Sequence, residues 1–260
     1  MASGDVVRVG ALGDLHCTKD CGGRLQPLLR RLAEVADVVA LCGDLTDHGL
    51  PEEAKVVARE LSALKLPLVG VLGNHDFESG KQMEIRAILA DAGVTMLDGD
   101  AVELQGVGFA GVKGFCGGFG RGALGAWGED AIKLFVREAV DEALKLEAAL
   151  ARLRMPHRFA VLHYSPIRAT VEGEPPEIFA YLGSSRLAAP LTQYKVTAIF
   201  HGHAHRGTPE GTLSDDGPPV YNVALPLLQR AFPDGPPCRI VNVPVSAAAP
   251  SDRLRAETPS

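Results

Sequence analysis

Five short apolar runs, at residues 6–12, 38–41, 68–72, 159–162 and 196–200, each end abruptly in polar side chains able to bind cations or protons. Runs of this length without polar alternation are expected of strands covered on both faces, which belong to sheets flanked by helices. Helical spacing fills the intervals. Residues 25–35, 52–64 and 81–92 carry apolar positions at helical spacing, and Pro51 suits a first helical turn. The longest helix is expected over 129–153, with Ile132, Phe135, Val136, Ala139, Val140 and Leu144 forming its apolar stripe. Strands alternating with helices give an α/β fold. Residues 220–224 and 239–245 read as later strands among Pro-rich turns.

A chain of 260 residues can bury a large core, and no linker divides it, so residues 1–245 are expected to form a single domain. From 246 to 260, Ala, Pro, Ser and mixed charges replace the apolar pattern, which predicts a flexible tail. The start lacks a basic segment followed by an apolar run, and no stretch has the roughly 20 apolar residues that span a bilayer. Five cysteines, an odd and mostly dispersed set, fit a reduced cytoplasm better than a disulfide framework. The formal charge of −6, with no Lys/Arg cluster, argues against dedicated nucleic-acid binding and leaves a small anionic substrate open.

The chemistry sits where the apolar runs stop. Asp14 and His16 lie two apart after the first run, so an extended backbone would aim both at one point. Gly43-Asp44-Leu45-Thr46-Asp47-His48 follows the second and Gly73-Asn74-His75-Asp76 the third. His163 follows the fourth, and Gly202-His203-Ala204-His205 the last. One Asp-x-His or Gly-Asp alone is more often a turn or a helix cap. Five blocks in the same setting are hard to explain that way. Carboxylates, imidazoles and an amide oxygen without thiolates suit Mn, Fe or Zn. Seven such groups exceed one four-coordinate ion and match two ions of higher coordination that share a ligand. Open α/β sheets also bind ligands at the carboxyl ends of their strands.

The order Asp14-x-His16, Gly43-Asp44-x-x-Asp47, Gly73-Asn74-His75-Asp76, His163, Gly202-His203-x-His205 resembles the calcineurin-like metallophosphoesterase superfamily over about three-quarters of the chain. The resemblance implies a four-layer α-β-β-α sandwich, two mixed sheets flanked by helices, with a dinuclear site at one edge. It implies that Asp14, His16 and His205 hold one metal, that Asn74, His163 and His203 hold the other, and that Asp44 bridges them. His75 would face the substrate without ligating, Asp47 would orient it and fix its tautomer, and Asp76 would support the site from behind. The implied reaction is in-line displacement at phosphorus by a water deprotonated between the two ions.

Where Ser/Thr phosphatases of that superfamily carry Arg directly after the Gly-Asp-x-x-Asp aspartate, this chain has His48. That departure leans toward small phosphodiesters, with a phosphomonoesterase of small metabolites as the alternative and a non-catalytic scaffold as the reading of another class. Asn74, His75, His48 and Arg121 are the candidate substrate contacts, with Lys113, Arg186 and Arg206 as further cations. His201 is expected in the core or behind the ligands, and Cys17, Cys21 and Cys42 as small buried residues. The glycine-rich stretch 113–125 does not fit a dinucleotide fingerprint and reads as a loop near the site. The stretch Gly183-Ser184-Ser185-Arg186 is expected to cap a helix continuing to Leu191.

Overall fold

The computed structural model describes residues 5–235 and 238–245. The tail expected over 246–260 lies outside the described residues. Strands β1 (Asp5–Leu12), β2 (Val38–Cys42), β3 (Leu68–Val71) and β4 (Val94–Met96) run parallel, and β11 (Arg239–Val245) pairs antiparallel with β1. The second sheet holds β5 (Asp100–Leu104), β6 (Val107–Gly111), β7 (Arg158–Val161), β8 (Ala198–His201), β9 (Glu210–Thr212) and β10 (Pro219–Asn222). Its order is β5-β6-β7-β8-β10-β9, parallel through the middle and antiparallel at both edges.

The two sheets pack face to face. Val7, Val9, Val38, Ala40, Val69 and Val71 of one meet Phe109, Phe159, Phe200 and Tyr221 of the other. The four rings stack across neighbouring strands with centroids 5.6, 5.7 and 6.0 Å apart. Because Phe109, Phe159 and Phe200 are fully buried, truncating any one of them to Ala would cost about 3–5 kcal/mol. Helices α1 (Gln26–Val35), α2 (Pro51–Leu61) and α3 (Gln82–Asp91) cover the outer face of the five-stranded sheet through Leu29, Leu32, Val57, Leu61, Ile85 and Leu89. Helix α4 (Asp130–Arg152), with the short α6 (Ala188–Gln193), lies on the other side, where Leu146, Leu150 and Leu191 seal the outer core, while the short α5 (Phe179–Leu182) packs through Leu182 and Phe179 against Val171 and Ala204. Helix α7 (Leu225–Ala231) follows β10. The result is a four-layer α-β-β-α sandwich. Among the described residues no helix is long and apolar enough to cross a membrane.

The stripe expected on α4 holds at Phe135, Val136 and Ala139 and then drifts out of phase. Val140 and Leu144 face solvent, whereas Glu142 is buried and accepts hydrogen bonds from the Gly114 amide at 2.7 Å and the Lys145 ammonium at 2.7 Å. A carboxylate with two donors is tolerated inside, so the buried face runs through Val136, Ala139, Glu142, Leu146, Ala149 and Leu150. Ser184 caps the turn Ser185–Leu187, its hydroxyl accepting from the Arg186 amide, and α6 continues from there.

Parallel strands bring their carboxyl ends to one side, and an isolated bridge helps join those ends across the two sheets. The Gly13 amide after β1 donates to the Val223 carbonyl after β10 at 2.9 Å, and the Leu225 amide donates back to Gly13 at 3.0 Å. The loops that leave this seam carry the polar blocks.

Candidate metal centre

Each loop is held by its own backbone before any side chain is considered. The amides of Asp14 and His16 donate to the carbonyls of Gly43 and Asp44 at 2.9 and 3.0 Å, which fastens the first block to the second. Buried Asp76 fastens the second to the third. One of its oxygens accepts from the Thr46 amide (2.8 Å) and hydroxyl (2.6 Å), the other from the Gly73 (2.8 Å) and Leu45 (3.3 Å) amides. Burial pushes the Asp76 carboxyl up, while those donors pull against the shift. Six non-glycine residues among those described have positive φ, and four are Asp14, His16, Asp44 and His203. Backbone strain gathered at one seam is expected of a functional site. Gly73 and Gly202 admit nothing larger, since a Cβ there would collide with the carboxylates of Asp44 and Asp14 respectively.

The side chains converge in linked groups. Ligand-type atoms of Asp14, His16 and His205 lie within 4.8 Å of one another, as do those of Asp44, His163 and His203, and those of His16, Asp44 and His75. Asp44 therefore stands between the two outer groups, and Asn74 joins the second through its Oδ1, 2.8 Å from His163 Nε2. Burial, with the carboxylates of Asp14 and Asp76 nearby, pushes the Asp44 carboxyl up to about 9.

Which ring nitrogen faces inward is settled by partners that can only accept. His163 Nδ1 donates to the Cys42 carbonyl at 2.9 Å, and burial holds the ring far below its ordinary pKa, so its Nε2 carries a bare lone pair. That lone pair faces two further acceptors, Asn74 Oδ1 at 2.8 Å and Asp44 Oδ1 at 3.4 Å. His203 Nε2 donates to the Tyr181 carbonyl at 3.1 Å, leaving Nδ1 bare, and burial pushes this ring down to about 3. His16 Nδ1 is 3.0 Å from the Asp47 carboxylate, which turns Nε2 toward His205 Nε2 at 3.3 Å and Asp44 at 3.7 Å. His205 also reaches Asp14 at 3.0 Å, and that hydrogen bond raises its pKa. Lone pairs and carboxylates crowded this closely repel one another unless cations stand between them, so the donor set fits a pair of metal ions.

One expected role changes. The Asp47 carboxylate orients His16, not His75; His75 Nδ1 donates instead to the Asp47 backbone carbonyl at 2.6 Å. The turn after Asp44 carries its carbonyl toward the ring of His75 and its side chain toward His16, so one residue positions both imidazoles. His75 Nε2 has no hydrogen-bond partner among the described residues, and the ring stands edge-on to His16 with centroids 4.5 Å apart.

The remaining candidates scatter. His48 is exposed and tied to Glu53, whose carboxylate lies 3.1 Å from its ring nitrogen and raises its pKa. Arg121 lies exposed on the turn Gly120–Gly122. The glycine-rich segment is pinned beside the centre by Phe119, which packs with Val171, Leu182 and Ala204, the residue between His203 and His205. Arg186 holds the same segment by donating to the Leu124 carbonyl at 2.7 Å, while the Arg206 side chain is exposed. His201 is buried, donating to the Gly202 carbonyl and meeting the Thr170 hydroxyl, each at 2.8 Å, and so belongs to the core. All five cysteines are buried and unpaired.

Several contributors carried no sequence signal. The carbonyls of Cys42, Tyr181 and Asp47 fix three tautomers, and any residue type could have supplied them. The Lys113 carbonyl accepts from the amides of His163 and Tyr164 at 3.0 and 3.1 Å, setting the fourth block in place. The Tyr164 ring lies 4.6 Å from that of His203 and walls one side of the second group.

Comparison with known proteins agrees with this geometry. The sequence model of the calcineurin-like phosphoesterase family matches residues 7–207. No curated protein sequence matches the chain significantly. Among solved structures, the phosphopantetheinyl hydrolase PptH from Mycobacterium tuberculosis is similar in fold, with a TM-score of 0.63 at 16% identity over 93% of this chain and 97% of its own. TT1561 of Thermus thermophilus is similar with a TM-score of 0.55 at 17% identity, covering 92% and 99%. GAP50, the anchor in the inner membrane complex of Plasmodium, gives 0.52 at 10% identity, covering 85% and 72%.

Proposed function

The chain belongs to the calcineurin-like phosphoesterase family, and from that premise we propose that it hydrolyses a small phosphodiester with the aid of two metal ions. Asp14, His16 and His205 would hold one ion, Asn74, His163 and His203 the other, and Asp44 would contact both. Bound there, such a pair supplies positive charge to the phosphoryl oxygens and makes an attacking water more acidic. The observation that carries this reading is the set of inward-facing bare nitrogens. His163, His203 and His16 each spend one ring nitrogen on a neighbour and present the other to the cluster. Partners of that kind orient metal-binding histidines.

His75 does the proton work in this reading. Its Nδ1 hydrogen is committed to the Asp47 carbonyl, so a second proton is taken up and released at Nε2. A proton delivered from that atom neutralises the leaving alkoxide. What favours a diester is the position after Asp47. His48 stands there, turned to Glu53, so no guanidinium grips the extra charge of a monoester at that point. The test compares bis(4-nitrophenyl) phosphate with 4-nitrophenyl phosphate on Mn-loaded protein. Higher kcat/KM on the diester is expected. Faster monoester turnover overturns the diester assignment, and turnover of neither overturns the hydrolase.

A further inference from the structure

Helix α4 carries a second seam, on the side away from the core. Asp130, Leu134, Arg137, Asp141, Leu144 and Ala148 succeed one another at alternating steps of four and three, and all are exposed. Steps of that kind keep side chains in line down one face of a helix. At about 3.6 residues per turn the seam lies opposite Ala139, Leu146 and Leu150, which enter the core. Leu134 is 67% exposed, Leu144 55%, and Trp127, just before the helix, 74%. A groove lined by Lys133, Leu134, Val136, Arg137 and Val140 opens on the same face. One exposed leucine is ordinary, whereas large apolar groups aligned along a seam with a polar border mark an interaction surface. The charges between the two leucines are idle. Neither Arg137 nor Asp141 takes part in an ion pair or a side-chain hydrogen bond among the described residues, although Lys133 and Asp130 nearby do, at 3.2 Å.

We propose that this face binds the same face of a second copy of the chain, the two α4 helices packing antiparallel about a twofold axis level with Ala139. The sequence of the seam is complementary to itself in that arrangement. Residues equally far from the axis on opposite sides meet, and each meeting occurs twice by symmetry. Leu134 faces Leu144 of the second copy, and Arg137 faces its Asp141. Asp130 faces its Ala148, and the small exposed Ala148 and Ala151 leave room for Trp127. Val140 flanks the axis on one side. Glu138 flanks it on the other, at a wet rim where like charges cost little. A parallel pair would instead set Arg137 against Arg137 and Asp141 against Asp141, so charge selects the antiparallel form. The acidic members also argue against an anionic lipid surface as the occupant. Stable interfaces commonly use about 20–30 residues a side. Helix α4 offers 13 exposed ones. A seam of that size predicts a reversible dimer with a Kd on the order of 10 µM. None of these residues belongs to the metal centre, so the proposal stands apart from the hydrolase reading.

Sedimentation velocity of the full chain, over concentrations that span that Kd, should show the mass rise from one chain to two. A chain still monomeric about tenfold above that Kd overturns the proposal. Charge exchange then tests the pairing. Arg137→Asp sets carboxylates against Asp141 of the second copy at both meetings, and should weaken association about tenfold or more. Asp141→Arg should do the same, and the two changes together should restore it. Both positions are exposed, so Tm should hold in all three variants. A dimer indifferent to the single changes, or a double variant no better than either, overturns this face. Cross-linking tests the register. Positions 130 and 148 lie about 27 Å apart along the helix at 1.5 Å per residue, so cysteines placed there can join only between copies. The native cysteines are all buried. Mild oxidation of a chain carrying Asp130→Cys and Ala148→Cys should give a covalent dimer on a non-reducing gel, whereas Asp130→Cys alone should not. No cross-link in the double variant, or as much in the single one, overturns the antiparallel register.

Discussion

Replacing Asp76 by Asn keeps the side chain's shape and removes one of two buried acceptor oxygens. As Asp, one oxygen serves the amide and hydroxyl of Thr46 and the other serves the amides of Gly73 and Leu45. The amide of Asn can hold its oxygen toward Thr46 only by turning its NH2 on two backbone N–H groups. Each buried donor so orphaned costs about 1–3 kcal/mol. The Leu45 contact is already long at 3.3 Å, so its loss costs less than that of the Gly73 bond at 2.8 Å. The net expectation is a loss of about 2–4 kcal/mol, a large share of the roughly 5–15 kcal/mol that holds a domain folded. Urea unfolding of the chelator-treated protein measures it. Because Asp76 ties the loop of Asp44 to the loop of Asn74, Mn affinity should fall as well, and saturating Mn should restore part of the lost stability by mass action. A stability change under about 0.5 kcal/mol, the scale of an ordinary surface substitution, would refute the bonding pattern. A large loss with unaltered Mn affinity would refute the coupling of the two loops.

Three further outcomes follow from the same contacts. His75→Ala should retain bound metal and lose about 10²-fold or more in turnover of esters with poorly acidic alcohols, with a smaller loss on 4-nitrophenyl esters; a uniform loss across leaving groups would remove its proton-transfer role. Asp47→Ala takes the partner from His16 yet leaves the backbone carbonyl that holds His75, so Mn affinity measured by calorimetry should drop about 10–100-fold, and unchanged affinity would contradict that assignment. The Asp44 carboxyl, raised to about 9 in the metal-free chain, is protonated at neutral pH, so loading metal there should release a proton, visible as a buffer-dependent binding enthalpy. The sign for stability is that of an acid with a raised folded pKa. Its contribution is complete below the unfolded carboxyl range and is lost as pH rises toward 9. Thermal unfolding of the chelated protein should therefore weaken between neutral pH and 9 more than that of the Mn-loaded protein; parallel curves would contradict the shift.

How legible all this was in the sequence depended on which physical signal each part leaves. Strands β1, β2 and β3 showed as apolar runs because both faces are covered. Strand β6 did not, although every residue of it is buried, because Gly108 and Gly111 interrupt the run. Those glycines answer to packing: a Cβ would press on Leu153 at one and on Leu97 and Val71 at the other. The short strands β4, β5 and β9 carry too few residues for a period to register. The second half of helix α4 misled in phase because buried Glu142 breaks the apolar rule that locates a helix face. At the centre, ligand-type side chains were visible at the ends of runs, since five such blocks in one setting are hard to explain as turns or caps. The atoms that orient them were not, because Cys42, Tyr181 and Asp47 act through backbone carbonyls that any residue carries. Asp47 shows the limit most clearly. Its place shortly after Asp44 was readable, whereas the turn that sends its carboxylate to His16 is a matter of backbone direction.

Electron paramagnetic resonance of the Mn-reconstituted, gel-filtered chain, with the bound metal counted on the same sample, bears most directly on the paired centre. Two Mn per chain and an exchange-coupled spectrum are predicted, because Asp44 lies between both ligand groups, and Asp44→Asn should lower the count and abolish the coupling. One ion or none, or two that behave as isolated Mn, would contradict the arrangement on which the proposed chemistry stands.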